Sequence, residues 1–338
     1  MAGEQMLGDV LPAELERVET TVTKWKAALR TPPICAALAL LVAGAVSAAS
    51  AQRRPVSPER AARVADSVLA LLSLDEKVGQ LVQSPGGRDQ TGPTAPSGGE
   101  DAVRAGRVGS FLSFWGADAT RRMQRVAVEQ SPHHVPLLFA MDIIHGFRTI
   151  FPQPLGEAAS FDPELARRAS RAAAVEASAV GIHWTFAPMV DIARDPRWGR
   201  VVEGAGEDPY LGARMAEARV RGFQGDSGFT AATSLLATAK HFVGYGTTEG
   251  GRDYNTGEIG ERTLWDVYLP PFEAAERAGV ATFMAGFSAV DGMPPHANRW
   301  LLTDVLRDRW GFGGLVVSDW DGVGELIPHG VAATRADA

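Results

Sequence analysis

Short apolar runs alternate with helical patterns along most of this chain. They follow a polar stretch rich in glycine and proline at residues 84–99. The runs are Val108–Phe114, Pro136–Met141, His183–Val190, Leu236–Phe242, Ala281–Val290 and Gly314–Ser318. Continuous apolar runs separated by helices are typical of strands that are buried on both faces of a parallel sheet. The pattern therefore predicts an α/β protein.

Capping residues followed by proline mark the starts of the helices between these runs. Three helices are predicted to begin at such pairs: Ser57-Pro58, Asp162-Pro163 and Asp208-Pro209. A Ser-Leu-Asp-Glu capping box at 73–76 predicts a further short helix. Residues 263–278 and 301–310 read as two more, the former broken or kinked at its proline pair.

Polar and ionisable residues stand at the ends of several of the apolar runs. They are Asp142, Asp191, Lys240, His241 and Asp319. A (β/α)8 barrel predicts such residues at the C-terminal ends of different strands. A doubly wound sheet would instead show a glycine-rich phosphate loop after its first strand, and the chain has none there. The barrel is therefore favoured, with about six of its eight strands present.

The N-terminal region resembles an export signal. Three basic residues between 24 and 30 precede an apolar run, Ile34–Val46, and small residues follow up to Ala51. This order predicts a secretory signal peptide cut after Ala51; a membrane-spanning helix is the weaker reading. We expect residues 1–51 to be an N-terminal extension plus signal peptide, and residues 52–338 to be the barrel domain. The acidic stretch at 1–21 suggests a true start near Val22, and the location expected is periplasmic or secreted, in a bacterium.

The net charge and the cysteine content limit the classes of protein to which this chain can belong. The net charge is −7, from 33 basic and 40 acidic residues, which argues against a nucleic-acid partner. The single cysteine, Cys35, lies inside the predicted signal and excludes a disulfide framework. After signal cleavage we expect no stable membrane insertion.

The strand-end residues allow both structural and chemical interpretations. Asp319 and Asp142 each follow an apolar run directly, so each can be a turn or helix cap, or can face the mouth of a barrel. A buried lysine such as Lys240 is uncommon unless it is paired. Adjacent strand residues point to opposite faces, so Lys240 and His241 reach one site only if the backbone is irregular there. The loop Asp195–Arg200 can be locked by an ion pair or can clamp a ligand.

Eight motifs in sequence order resemble glycoside hydrolase family 3, in particular its bacterial periplasmic β-glucosidases. They are Met141–Gly146, Ala187–Asp191, Asp195–Arg200, Glu203–Tyr210, Lys240–Phe242, Glu249–Gly251, Asn255-Thr256 and Ser318–Trp320. The resemblance runs from about Ser57 to the last residue. It implies a retaining exo-acting β-glycosidase that removes a terminal non-reducing sugar from a β-linked oligosaccharide or an aryl or alkyl glucoside.

The matched positions imply roles for individual residues. Asp319 corresponds to the nucleophile that forms a covalent glycosyl intermediate. The implied sugar-binding residues are Asp142, Arg148, Arg200, Lys240, His241, Met284 and Trp320. Phe287 lacks the hydroxyl of a tyrosine that family members often have nearby. The resemblance implies no metal and no cofactor, because two carboxyl groups about 5–5.5 Å apart do the covalent and proton-transfer work. We expect Lys240 and Arg200 to lower the pKa of Asp319.

The acid/base partner is missing from these motifs. Two-domain members of the family take it from a domain after the barrel, and the histidine of single-domain members has no counterpart here. Glu325 is not proposed for the role. We therefore expect an N-terminal fragment that lacks a C-terminal domain, is poorly stable and is nearly inactive on its own.

Three alternatives stay open. An inert fragment could bind sugar without turning it over, and β-xylosidase-type specificity is compatible with the same motifs. A metal-dependent barrel hydrolase is the remote alternative, since His145, His183, Lys240, His241 and Asp319 could lie near strand ends.

Overall fold

A computed structural model describes residues 57–86, 99–226, 229 and 231–338. The predicted signal peptide and start site lie outside the described residues. Among the helices that are described, none is both long and apolar enough to cross a membrane.

Seven parallel strands follow one another in sequence and in space. They are β1 (Gln83–Pro85), β2 (Ser110–Leu112), β3 (Leu138–Met141), β4 (Trp184–Thr185), β5 (Thr238–Phe242), β6 (Thr282–Ala285) and β7 (Leu315–Ser318). Backbone hydrogen bonds join neighbouring strands into one sheet of order β1-β2-β3-β4 and another of order β5-β6-β7. Parallel bridges from Trp184 to Leu236 and from Met189 to Lys240 connect β4 and the segment after it to β5. The strand order β1 to β7 is that of a (β/α) barrel.

The predicted α/β fold is confirmed, with one strand added. β1 lies where the polar loop was expected to begin, so Ser84 and Pro85 belong to a strand and not to the loop. Asp319 consequently follows the seventh strand and not the sixth. Within residues 57–338, as far as they are described, β1 and β7 are not paired with each other. The sheet is therefore an incomplete barrel.

Helices connect the strands, as the crossovers of a parallel sheet require. They are α1 (Pro58–Leu71), α2 (Leu74–Gln80), α3 (Gly99–Arg104), α4 (Ala117–Gln130), α5 (Pro154–Ala158), α6 (Pro163–Ala179), α7 (Pro209–Gln224), α8 (Glu261–Thr263) and α9 (Pro270–Arg277). π-Helical turns continue α8 over Leu264–Tyr268 and form Trp300–Arg309.

The predicted helix starts are confirmed. The side chains of Ser57, Asp162 and Asp208 accept hydrogen bonds from the first backbone amides of α1, α6 and α7. Ser73 and Glu76 form the reciprocal capping box of α2. The break expected at the two prolines also occurs, because α9 begins at Pro270 after the π-helical turn.

One face of the sheet packs around Trp184, together with Leu112, Ala140, Phe186 and Met284. The indole nitrogen of Trp184 donates hydrogen bonds to Thr238 Oγ1 (2.8 Å) and to Thr282 Oγ1 (3.0 Å). The larger apolar core lies between the other face and the helices. The site described next lies above these packed layers, at the C-terminal ends of the strands.

Candidate active site

Three strand ends bring four of the predicted residues together. Asp142 follows β3, Lys240 and His241 lie in β5, and Asp319 follows β7. The Lys240 Nζ atom lies 2.6 Å from Asp142 Oδ1, and the His241 Nε2 atom lies 3.5 Å from Asp319 Oδ2. The residues come from segments far apart in sequence, so the parallel sheet alone assembles them.

The two adjacent residues of β5 both face this site. The pairing of β5 with β6 changes register between Lys240 and Phe242. This confirms the expectation that the backbone must be irregular here. The side chain of Lys240 is 4% exposed, so its ion pair with Asp142 compensates for taking the ammonium group out of water.

Asp319 is a buried carboxyl with one satisfied oxygen. Its Oδ1 accepts a hydrogen bond from the Trp320 backbone N–H at 2.6 Å. In the described part of the chain, its Oδ2 accepts no hydrogen bond. An unsatisfied buried carboxylate oxygen is costly unless a ligand completes it.

Lys240 and Arg200 lower the pKa of Asp319, as expected, but they do not decide its net direction. Burial raises the pKa to about 6, although Lys240, the Trp320 amide and Arg200 act in the opposite direction. Asp142 adds to the increase by charge repulsion. The desolvation of the carboxylate therefore outweighs the neighbouring cations, and the group is still mostly ionised at neutral pH.

The structure also brings in Asp191, which was noted only as a strand-end residue. Its Oδ2 atom lies 2.8 Å from the backbone nitrogen of His241 and 2.8 Å from His241 Nδ1. Burial raises the pKa of Asp191 to about 7 and lowers that of His241 well below its usual value. Its position in the motif Ala187–Asp191 could have marked Asp191 as a site residue. Its contact with His241, which lies fifty residues further along the chain, could not be predicted from the sequence.

Arg200 lies beside the site in a paired state. Its guanidinium makes a bidentate contact with Glu203, at 2.7 Å from Nε to Oε1 and 2.9 Å from Nη2 to Oε2. The same group lies 5.5 Å from the centre of the Tyr245 ring. Asp195 pairs instead with Arg197 within the same loop. Both arginines of this loop are therefore held by ion pairs. Arg200 is also close enough to Asp319 to lower the pKa of its carboxyl group.

Apolar and aromatic groups form the remaining wall. Met284 in β6 is buried against Trp184 and Phe186, and Trp320 packs on this cluster from above. Trp320 also packs on a second cluster that contains Tyr245 and Phe287. Trp320 thus joins the two clusters directly beside Asp319.

Arg148 is a predicted site residue that lies apart from the residues described above. It is exposed, and its backbone N–H donates to Glu176 Oε2 at 2.8 Å. Among the residues described, no contact joins it to Asp142 or Asp319.

The residues named for a metal site are dispersed. The His145 Nδ1 atom lies 2.9 Å from the Phe151 carbonyl oxygen, whereas the His183 ring lies beside Phe139. Across the described residues, no three His, Cys, Asp or Glu side chains are grouped so that they could hold a metal ion.

The surrounding carboxylates are engaged in other contacts. Asp142 contacts Lys240, Asp191 contacts His241 and Glu203 contacts Arg200. Asp319 Oδ2 and Asp191 Oδ1 are the oxygens of these carboxyl groups that have no hydrogen-bond partner among the described residues. The Asp191 side chain is 1% exposed and that of Asp319 is 15% exposed, so Asp319 is the more accessible of the two. The charged and hydrogen-bonding groups around it suit a polyhydroxylated molecule.

Comparison with known proteins gives a consistent result. The model of the "Glycosyl hydrolase family 3 N terminal domain" matches residues 73–338. The "Periplasmic beta-glucosidase" of Salmonella typhimurium is 40% identical over 285 residues, which are 84% of this chain and 36% of that protein. A "Beta-xylosidase" of Formosa agariphila is 43% identical over 199 residues, which are 57% of this chain and 27% of that protein.

A solved structure has the same architecture. The β-glucosidase from Listeria innocua in complex with isofagomine superimposes with a TM-score of 0.76 at 39% identity. The match covers 81% of this chain and 38% of that one, so the chain spans well under half of the relatives it matches. The family match extends over most of the chain and includes every strand described. This chain belongs to glycosyl hydrolase family 3.

Proposed function

We propose that this chain carries the nucleophile and much of the sugar-binding site of a retaining exo-acting β-glucosidase. The substrate class is a β-linked oligosaccharide or an aryl or alkyl glucoside with a terminal non-reducing β-D-glucosyl residue. The observation that carries the proposal is the Asp319 carboxyl. It is buried at the end of β7, and its Oδ2 accepts no hydrogen bond from the described residues.

In the first step, Asp319 Oδ2 attacks the anomeric carbon as the bond to the glycosidic oxygen breaks. The acid/base donates a proton to that oxygen, and a glycosyl-Asp319 ester forms. In the second step, the acid/base takes a proton from water, which attacks the anomeric carbon and releases the sugar with retention of configuration and Asp319 as a carboxylate. In this proposal, Lys240, Arg200 and His241 contact sugar hydroxyls, and Asp142 accepts hydrogen bonds from them. Trp320 offers an apolar surface beside the nucleophile. We propose that the acid/base lies outside these 338 residues, in a C-terminal domain of the complete protein.

The location proposed is the bacterial periplasm or the medium. The support is the name of the Salmonella relative, together with that of a Dickeya chrysanthemi relative, "Periplasmic beta-glucosidase/beta-xylosidase". The predicted signal at residues 1–51 agrees with this location.

The test uses a substrate that needs no acid catalyst. 2,4-Dinitrophenyl 2-deoxy-2-fluoro-β-D-glucoside has a good leaving group and forms a long-lived ester, so it reports on the nucleophile alone. We expect one fluoroglucosyl group per chain by intact mass, located on the peptide containing Asp319. Asp319→Asn should lower the labelling rate at least about 1,000-fold, because it removes the nucleophile.

Asp321→Asn is the matched control, since Asp321 lies two residues away and pairs with Arg335 at the surface. It should label as the wild type does. Labelling on another residue, or none at all, would contradict the proposal. Reversible glucose binding without labelling would identify the inert sugar-binding fragment.

β-Xylosidase activity is the second candidate, supported by the similarity to the Formosa β-xylosidase. The corresponding fluoroxyloside distinguishes the two, because the two sugars differ only in the hydroxymethyl group. Faster labelling by the xylosyl reagent would assign this specificity instead.

A further inference from the structure

The buried pair of Asp191 and His241 lies behind the proposed nucleophile, and the sugar contact proposed for His241 does not explain the role of Asp191. Both side chains are only 1% exposed. Asp191 Oδ2 meets two nitrogen atoms of one residue, the backbone nitrogen and Nδ1 of His241. A backbone N–H can only donate, so Oδ2 is an acceptor there.

We propose that Asp191 is a positioning residue that holds the His241 ring with its proton on Nδ1 and its Nε2 lone pair toward the bound sugar. The proposal rests on the function proposed above, because it deepens the description of the same site. Asp191 Oδ2 accepts the backbone N–H and can accept the Nδ1–H as well, and the proton on Nδ1 leaves Nε2 as an acceptor. The second ring nitrogen is thereby presented to the pocket, 3.5 Å from Asp319 Oδ2.

The consequence is a defined pattern of donors and acceptors in the pocket. Lys240 and Arg200 can only donate, whereas His241 Nε2 accepts when the ring is neutral. A sugar hydroxyl between His241 and Lys240 can then accept from the ammonium group and donate to the imidazole. With the other tautomer, two donors would meet at that hydroxyl, and the hydroxyl proton would lose its acceptor.

The backbone around Asp191 is suited to hold a ring in place. The Val190 backbone N–H donates to the Lys240 carbonyl at 2.8 Å, which ties this segment to β5. Val190 and Ile192 are both buried on either side. Asp191 therefore has little freedom to follow a movement of His241, and its carboxylate sets the ring orientation.

The primary test reads the tautomer directly. The chain is labelled with ¹⁵N-histidine, and long-range ¹H–¹⁵N correlations of the imidazoles are recorded at neutral pH. The resonances of His241 are identified as those lost in His241→Gln. We expect a protonated Nδ1 and an unprotonated Nε2 in the wild type. A protonated Nε2 in the wild type would overturn the proposal without any variant.

The variant Asp191→Leu keeps the branched shape of the side chain but has no oxygen atom. The Nδ1–H of His241 then loses its acceptor, whereas Nε2 lies 3.5 Å from Asp319 Oδ2, so the ring proton should move to Nε2. The matched control is Asp195→Leu, which removes a carboxylate paired with Arg197 and should leave the His241 spectrum unchanged. Retention of the wild-type tautomer in folded Asp191→Leu would contradict the proposal.

Labelling kinetics show whether the tautomer matters for the sugar. In Asp191→Leu, the KI for 2,4-dinitrophenyl 2-deoxy-2-fluoro-β-D-glucoside should rise about tenfold, with a smaller change in the limiting labelling rate, because one hydrogen bond to the sugar is lost. A purely structural role predicts an unchanged KI in the folded variant, and that result would refute the positioning role. Failure of the wild type to label at Asp319 would instead refute the proposed function, while the wild-type NMR measurement would still report the tautomer.

Discussion

The two strands that supply the central residues of the site differ in their surroundings. β5, which carries Lys240 and His241, is buried along its whole length between β6 and the segment at β4. β7, which leads to Asp319, is paired on one side only in the described residues, and its four residues are half-buried or exposed. One wall of the pocket is part of the core, whereas Asp319, the proposed nucleophile, follows a strand that is an edge of the sheet in the described residues.

We therefore expect substitutions near the two strands to affect different properties, the stability of the fold near β5 and the reactivity of the site near β7. A change near β5 disturbs packed side chains and buried charges, so it should act on folding as well as on sugar binding. A change near β7 should leave most of the core intact and act mainly on reactivity. Burial of the Asp319 carboxyl is unfavourable for folding. Active-site residues commonly lower the stability of a protein in this way.

The largest effect should come from a matched pair of leucine truncations. Leu235, three residues before the start of β5, is fully buried, whereas Leu315 in β7 is 46% exposed. Leu235→Ala should reduce the free energy of unfolding by about 2–5 kcal/mol, because it leaves a cavity. Leu315→Ala should cost less than about 1 kcal/mol. Urea denaturation followed by circular dichroism measures both, and equal losses would erase the contrast between the two strands.

The ion pair between Lys240 and Asp142 should give the next effect. Lys240→Met leaves the Asp142 carboxylate without its partner, and we expect a loss of about 2–3 kcal/mol, moderated because Asp142 is 31% exposed. The double variant with Asp142→Asn should recover part of this loss. A double-mutant cycle by urea denaturation measures the coupling. Additive effects would show that the two side chains do not stabilise each other.

Per pH unit, the smallest effect should be the change in the free energy of unfolding caused by titration of Asp319 after β7. Because the pKa of Asp319 is raised to about 6, the folded state holds this proton where the unfolded state has lost it. Asp319 thus makes the free energy of unfolding fall as pH rises from about 4 to about 6, by on the order of 1 kcal/mol per unit at most. Labelling by the fluoroglucoside should decline as pH falls through about 6, since the protonated acid is a poor nucleophile.

Asp319→Asn serves as the comparison for this measurement, because it cannot titrate. Thermal unfolding of both proteins at several pH values should show that the difference in melting temperature grows in favour of the variant as pH rises. A constant difference would mean that the carboxyl has an ordinary pKa in the folded chain.

Much of this fold follows from local patterns in the sequence. Apolar runs predicted six of the strands, and pairs such as Asp162-Pro163 predicted helix starts, because both signals depend on neighbouring residues alone. β1 was missed because Gln83–Pro85 is short and contains polar residues and a proline. α4 was missed as well, since its buried residues Met123 and Val126 are interspersed with arginines.

The site was predictable as a set of residues but not as a set of contacts. Asp319, Asp142 and Lys240 stand out as polar residues at strand ends, and the motifs indicate which family uses them. The contact between Asp191 and His241 depends on how two separate segments meet in space. The net pKa of Asp319 depends on how much water the fold removes. The two nearby cations lower this pKa as expected, but burial raises it by more.

The open side of β7 has a practical consequence for work with this chain. An unpaired strand edge offers backbone amide and carbonyl groups to any other strand of matching length. Measured stabilities and labelling rates should therefore be compared at several protein concentrations. Light scattering alongside each measurement would separate the behaviour of a single chain from that of assemblies joined edge to edge.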